Sequence, residues 1–355
     1  MIAILQPHVP HYREEFFLGI QKRFASKIYC YEADNHSLVN NFKNASIKTE
    51  RIGSRSFGPF FWYNPIPFLD NDVKKMVLML DFKHITTWLL LLTRFIHRKK
   101  IILWGQGISI KGFLKYEKKP FVMVKWMASL ADGVWFYTEN EHLLFKKELP
   151  KLTAVSLNNT VSGLNEILDV IKPNKDQKDT LKKIYNISQP FVLIYCARFN
   201  EVRRIDLLLE VIQKVDNNRF GFIIIGDGSS KPSFAEYSHV YDFGKVYDFN
   251  TKKDLFNISD IYFQPAWLGL SIVEAMAYGK PIFSFERSKY VYQCVEYTFV
   301  QRGHNGNLFK DPNHMLAYLE SLQIEEIENM GKNAVDYVKT NLRMEQMVNN
   351  ALSIL

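Results

Sequence analysis

Cysteine is scarce in this chain. The 355 residues hold three, Cys30, Cys196 and Cys294, at spacings that fit neither a disulfide framework nor a metal cluster. A small disulfide-stapled secreted fold is therefore excluded, and a reducing, cytoplasmic setting is the expectation. Long apolar runs are also missing. The longest, TTWLLLLTRF from Thr86 to Phe95, has ten residues, where a spanning helix needs roughly 20. No N-terminal leader is visible, because MIAILQPHVPHYRE turns polar too early. Internal repeats and low-complexity tracts are absent. The dinucleotide fingerprint is incomplete: Gly226-Asp227-Gly228 runs into Ser-Ser-Lys without a third glycine, which disfavours a dehydrogenase. The length suggests two domains, and 47% hydrophobic residues suffice for two cores.

What is present concentrates in the second half. QPAWLGLSIVEAMAYGKP, Gln264 to Pro281, follows a strand-like DIYF and precedes another, PIFSF. The spacing predicts a strand, a loop with Gly269 at its tip, a helix carrying Glu274 in its first turn, and a stop at Gly279 and Pro281. Backbone N–H groups at a helix start can hold a phosphate. A carboxylate one turn in can accept from hydroxyls such as a ribose diol. The plain alternative is an ordinary βαβ crossover with a surface glutamate. Upstream, PFVLIYC reads as a buried parallel strand. Arg198, Arg203 and Arg204 follow it, then an amphipathic helix from Ile205. FGFIII is a second buried strand, ending in the glycine turn. Cations and glycines after the carboxyl ends of parallel strands stand where open α/β sheets bind ligands.

The segments ARFNEVRRIDLLLE, IIIGDGS, GKVYDF, DIYFQPAWLGLSIVEAMAYGKP and GHNGNLF occur in this order over roughly residues 190–310. Together they resemble the carboxyl-terminal half of retaining nucleotide-sugar glycosyltransferases of family 4. The resemblance implies an α/β chain of the GT-B fold, two Rossmann-like domains facing across a cleft. It implies that Arg198 and Arg203, five positions apart, grip the donor diphosphate. It places Glu274 on the nucleotide ribose, and Gly226, Gly228, Val246, Gly269, Leu270 and Ser271 along the donor. The first glutamate of the family's pair, eight residues before Glu274, is replaced by Ala266, which puts the donor-sugar contacts in doubt. The resemblance implies retention of configuration, no metal, no cofactor beyond the nucleotide sugar (a UDP-sugar ahead of a GDP-sugar), and a role in cell-surface polysaccharide synthesis.

The first half resembles the family more weakly. The similarity rests on the opening strand with HYR, a strand ending at Trp104-Gly105-Gln106-Gly107, VWFYTENE, and NNTV from Asn158. The family's glycine-rich first loop is replaced by QPHVPHYR. Its histidine gives way to Gln106. His11 is the candidate general base. His8, Arg13, Gln106 and Asn140 are acceptor-side candidates, with Glu141 beside the last. For each, a capping or surface role is the plain alternative.

Charge is uneven. Arg94 to Lys125 holds nine lysines or arginines against one acid, Glu117, an excess equal to the chain's net charge of +8. Tryptophan, tyrosine, phenylalanine and leucine interleave them, which suits peripheral binding to an anionic membrane surface. A solvated basic face is the alternative, and no nucleic-acid motif accompanies the charge. FGPFFWYNPIPF, Phe57 to Phe68, reads as a proline-bearing loop that dips into lipid or lines an acceptor groove. The lysine-rich stretch 169–183 reads as a linker. The expected domains are 1–175, with a last helix in 341–355 packing back on it, and 176–340. The expected activity is sugar transfer to a glycan or lipid-linked saccharide at the inner face of the cytoplasmic membrane. A non-hydrolysing nucleotide-sugar epimerase and a non-catalytic nucleotide-binding protein are the alternatives.

Overall fold

The structure, a computed structural model, describes residues 1–32, 47–170 and 173–355. The chain divides into two compact units. One is Met1–Ser162 with Leu342–Leu355; the other is Gly163–Asn341.

In the first unit, β1 (Ile2–Gln6), β2 (Ser26–Cys30), β3 (Glu50–Arg51), β6 (Lys75–Met79), β7 (Lys100–Trp104), β8 (Gly133–Phe136) and β9 (Ala154–Ser156) form a parallel sheet in the order β3-β2-β1-β6-β7-β8-β9. Alternation along β1 shows both faces covered. Ala3 and Leu5 join one apolar cluster, Ile2 and Ile4 the other. Helix Glu14–Gln21 buries Phe16, Phe17 and Ile20 on the second face. The final helix, Met344–Ser353, packs on it with Met347 and Val348. The chain thus returns to its first unit to close that core.

FGPFFWYNPIPF is not a loop. It contributes an antiparallel hairpin, β4 (Ser54–Phe57) with β5 (Phe60–Tyr63), and a short helix, Ile66–Leu69. Gly58 turns the hairpin with φ of 57°, and both prolines at 65 and 67 lie beyond the paired residues. Tyr63 and Phe68 are fully buried, which the proline content hid.

In the second unit, β10 (Phe191–Cys196), β11 (Phe220–Ile225), β12 (Val240–Asp242), β13 (Ile261–Phe263), β14 (Ile282–Phe285) and β15 (Gly306–Phe309) are parallel in the order β12-β11-β10-β13-β14-β15. Helix Ile205–Lys214 buries Ile205, Leu208, Val211 and Ile212, the i, i+3, i+6, i+7 stripe of an amphipathic helix. The stretch expected as a linker is largely helical, Lys175–Ile184, opened by a capping box between Asn174 and Gln177. The boundary also lies earlier than residue 175. Helix Leu164–Leu168 buries Leu164 and Ile167 and packs on helix Ser271–Ala277, so residues from Gly163 onward belong to the second unit.

Met347 is 1% exposed in the first unit's core. Met347→Ala should destabilise that unit by about 2–5 kcal/mol. Urea unfolding followed by tryptophan fluorescence checks this; an unchanged midpoint would show that the returning helix adds nothing to the core.

Candidate functional site

Both sheets reverse direction once. In the second unit the reversal lies between β10 and β13, since β11 and β12 extend one way and β14 and β15 the other. At such a switch point neighbouring connections diverge and leave a crevice beyond the carboxyl ends of the strands. The second-unit candidates fall here.

Beyond β10, Ala197 donates to Ile225 O at 3.0 Å and Phe199 to Asp227 O at 3.0 Å, so the Arg198 loop runs beside the Gly226-Asp227-Gly228 turn. Both glycines are required. Gly226 (φ 141°) and Gly228 (φ 155°) have backbones closed to L side chains, and an added Cβ would lie 2.0 Å from Ala197 O and Phe199 O respectively. Gly226 N donates to Gly244 O at 2.7 Å, which brings up the Gly244-Lys245-Val246 segment, and Lys245 pairs with Asp227 at 3.1 Å.

Beyond β13, two buried amides hold the loop to the next helix. Gln264, fully buried, donates to Ala266 O and Trp267 O at 2.8 Å each and accepts from Tyr262 and Ser271 hydroxyls at 2.8 and 3.2 Å. Gln293, fully buried, accepts from Leu268 N at 2.8 Å and donates to Phe285 O at 2.9 Å. Trp267 adopts φ of 59°, a conformation costing a non-glycine residue about 1–2 kcal/mol, and this network keeps it there. Ile272 N and Val273 N are occupied by Gly269 O and Leu270 O at 3.2 and 3.1 Å. The amides of Gly269, Leu270 and Ser271 have no acceptor among the described residues. Helix Ser271–Ala277 ends as its sequence demands: Gly279 (φ 72°) donates to Met276 O and Lys280 to Ala275 O, a Schellman pair.

Arg203 is the most informative side chain. Its Nε and Nη1 are shielded from solvent and have no acceptor among the described residues. Its charge is felt by Tyr195, Cys196, Tyr262 and Cys294, which locates it at the ends of β10 and β13. Arg198 is exposed on the adjoining loop. Arg204 does a different job: it pairs with Asp206 and donates to Tyr290 O at 2.7 Å, anchoring a neighbouring loop.

Glu274 is half-buried and held by both oxygens to Lys252 Nζ, at 2.6 and 2.7 Å. Burial alone would lower the Lys252 ammonium, but Cys196 and Glu274 keep it well above its ordinary value. Nothing in KKDLF distinguishes Lys252 from Lys253, so this partner was invisible in the sequence. Gln264 and Gln293 were missed for the same reason: glutamines acquire meaning only from burial. Ala266 is fully buried among apolar side chains, so no carboxylate stands at that position. Burial pushes the Cys196 thiol up to about 11 and the Cys294 thiol up to about 12.

The first-unit candidates do not form one constellation. His8 Nδ1 lies 3.0 Å from Glu32 Oε2. His11 is exposed at the start of a 3-10 turn, His11–Arg13. Arg13 is 7% exposed, 5.1 Å from both the Trp104 and Tyr137 ring centres, with Nη2 donating to Asn159 at 3.2 Å. It thus ties QPHVPHYR to NNTV. Gln106 is half-buried after β7. Asn140 is exposed on the first turn of helix Glu139–Glu148, while Glu141 is buried and accepts from Thr138 N as that helix's capping box. The chain does hold an Asp-x-Asp triplet, Asp70-Asn71-Asp72, but Asp70 closes a turn by accepting from Asp72 N at 2.9 Å. Among the described residues no group of three or more acidic, histidine or cysteine side chains could hold a metal.

The basic stretch is also less free than its composition implies. Arg94 pairs with Asp132, Lys125 with Glu148 at 3.1 Å, and Lys99 donates to Asp70 O and Val73 O at 2.6 Å each. Around the rest, Leu89, Leu92, Phe95, Ile96, Val122 and Trp126 are exposed, Phe95 at 73%. Among the described residues no helix is long and apolar enough to cross a membrane.

Residues 177–340 match the family described as glycosyl transferases group 1, which covers the unit carrying the β10–β13 crevice. The whole chain shares its fold with solved glycosyltransferase structures. Anabaena Alr3699/HepE in complex with UDP superposes with a TM-score of 0.65 at 15% identity over 100% of both chains. Sucrose-phosphate synthase from Thermosynechococcus elongatus gives 0.66 at 13% identity over 99% of this chain and 97% of that one. An E. coli structure described as trehalose-6-phosphate bound with UDP-2-fluoro glucose gives 0.63 at 10% identity over 99% and 98%. The fold is GT-B, with a Rossmann-like sheet in each unit. We found no significant match among curated proteins.

With thiols raised this far, Cys196 and Cys294 hold little thiolate at pH 8. Iodoacetamide at pH 8 should label neither in the native protein, as read by peptide mass spectrometry. Prompt labelling of either would contradict the burial described.

Proposed function

We propose that the chain is a glycosyltransferase that moves a sugar from a nucleotide diphosphate donor, a UDP-sugar, to a saccharide acceptor with retention of configuration. The observation that carries this reading is the half-buried Arg203, whose Nε and Nη1 are shielded and without an acceptor among the described residues, at the β10–β13 switch point. N–H donors shielded from water without an acceptor are costly, and a diphosphate supplies the missing oxygens in bidentate geometry. The group 1 family match to residues 177–340 and the UDP-bound structures of the same fold support it.

In the reaction the anomeric C–O bond to the diphosphate breaks and its electron pair leaves with the phosphate oxygen. The acceptor oxygen bonds the anomeric carbon and gives up its proton, for which His11 is the assigned base. Arg203 and Arg198 stabilise the charge that develops on the leaving diphosphate, often the largest catalytic contribution. The amides of Gly269, Leu270 and Ser271 add to it. Gly226 and Gly228 allow the donor close to the backbone, with Val246 beside them. Glu274, oriented by Lys252, accepts from the ribose hydroxyls. No metal is assigned to the reaction.

The acceptor side is assigned to the first unit, with His8 and Gln106 as contacts. The exposed apolar residues of helices Ile85–Leu92 and Val122–Leu130, with Lys115, Lys118 and Lys119 nearby in sequence, form the proposed contact with an anionic membrane. This suits a lipid-linked saccharide in cell-surface polysaccharide synthesis.

The test is incubation with UDP-sugars and vesicle-borne polyprenyl-linked saccharides, followed by UDP release and product NMR. Transfer should occur with the donor's anomeric configuration kept. Arg198→Ala should cut it by at least about 100-fold, the scale of losing one charge-stabilising donor; near-normal turnover would remove Arg198 from the diphosphate. Changing Lys115, Lys118 and Lys119 to Glu should lower binding to phosphatidylglycerol vesicles at least tenfold, since each cation contributes about 1 kcal/mol. Unchanged sedimentation would refute the membrane contact.

A further inference from the structure

The carboxylate assigned to the donor ribose does not stand alone. Glu274 accepts from Lys252 Nζ with both oxygens, at 2.6 and 2.7 Å. The Lys252 and Glu274 side chains are 23% and 25% exposed. Lys252 belongs to helix Phe249–Ile258 and Glu274 to helix Ser271–Ala277. One turn further along, Phe256 on the first and Tyr278 at the end of the second stack with ring centres 4.5 Å apart and planes 15° apart. Phe256 is fully buried and Tyr278 is 4% exposed. Residues four apart on a helix share a face, so the aromatic stack and the ion pair form two rungs between the same two helices. The stack sets where ammonium meets carboxylate. The lysine helix is also anchored at its start, where the Asp248 carboxylate accepts from Thr251 N at 2.7 Å. Burial alone would lower the Lys252 ammonium, but Cys196, Glu274 and Tyr278 raise it well above its ordinary value. It therefore stays charged at neutral pH, and the pair is a fixed platform of no net charge.

Such a platform changes what the ribose contact selects. A lone, largely buried carboxylate demands hydroxyl donors. A sugar without the 2′-hydroxyl would cover that charge and leave it unanswered, a costly state. Here the demand is met before a nucleotide arrives. An ionised carboxylate offers about four acceptor positions, and Lys252 takes one on each oxygen, so positions remain for ribose hydroxyls. Losing a hydroxyl then forfeits one ordinary hydrogen bond and bares no charge. We propose that Lys252 makes the site tolerant of 2′-deoxyribose, so that deoxyribonucleoside diphosphate sugars, thymidine diphosphate sugars among them, serve as donors alongside UDP-sugars. The proposal rests on the donor reading that puts Glu274 at the ribose. Lys252 acts through Glu274 and is a positioning residue.

The test is calorimetric titration of the full chain with UDP and 2′-deoxy-UDP, which differ by one hydroxyl, in the wild type, Lys252→Met and Lys252→Arg. In the wild type the two ligands should bind within about fivefold of each other, the scale of one ordinary hydrogen bond. In Lys252→Met the carboxylate is bare, and 2′-deoxy-UDP should fall at least about 20-fold behind UDP, the scale of a hydrogen bond to a charge. Lys252→Arg returns a cation to Glu274 and should restore near-parity, which a lysine needed only for folding would not predict. A wild type that binds UDP but prefers it to 2′-deoxy-UDP by tenfold or more would overturn the proposal and leave the donor reading standing. The same ratio in the wild type and in Lys252→Met would also overturn it. Binding of neither nucleotide would remove the donor reading, and the proposal with it. Should Lys252→Met lose its native circular dichroism, the wild-type ratio alone decides.

Discussion

The arrangement around the second sheet depends on one unbalanced charge. Arg203 is brought to the carboxyl ends of β10 and β13 with two N–H groups shielded and unanswered. Folding alone gains nothing from that. Pairing it with a resident carboxylate would have been easy, as Arg204 and Asp206 show one residue away. Glu274, the candidate carboxylate on the helix after β13, is instead paired with Lys252. The crevice therefore keeps a net demand for anionic oxygens, and its other features serve that demand. The glycines let backbone approach backbone, and Gln264 and Gln293 fix the loop whose amides remain open.

Parallel topology explains why both units have a crevice at all. Strands covered on two faces bind nothing along their length, so chemistry moves to the loops beyond their ends. Each sheet has one reversal, and each reversal gathers polar residues, but of opposite character. The second gathers arginines and amides, suited to phosphate. The first gathers Glu32, Asp81, His84 and the rings of Tyr31 and Phe61.

Much of the second unit was legible because local rules agree there. FVLIYC and FGFIII are short β-branched runs bounded by glycine or arginine loops. The Ile205 helix has a clean apolar stripe, and the Gly279-Lys280-Pro281 stop is a Schellman end in the structure. Arg203 and Glu274 could be singled out from spacing, but not the reasons for their states. Lys252 comes from a helix 22 residues before Glu274, and no local pattern marks it. In the first unit the hairpin was misread because its prolines resemble loop punctuation while their actual positions leave the pairing intact. The basic stretch was overcounted because charge in a sequence carries no partner: Arg94, Lys99 and Lys125 are each engaged.

Calorimetric titration of UDP into the metal-free protein and into Arg203→Met tests the central claim most directly. Methionine keeps the apolar stem of the arginine and removes only the unanswered guanidinium. The account predicts micromolar binding by the wild type and a loss of at least 100-fold in the variant, with the unfolding temperature held or raised as two shielded, unsatisfied N–H groups disappear. Equal UDP affinity in the two proteins, or a variant that unfolds because Arg203 was holding the fold together, would contradict it.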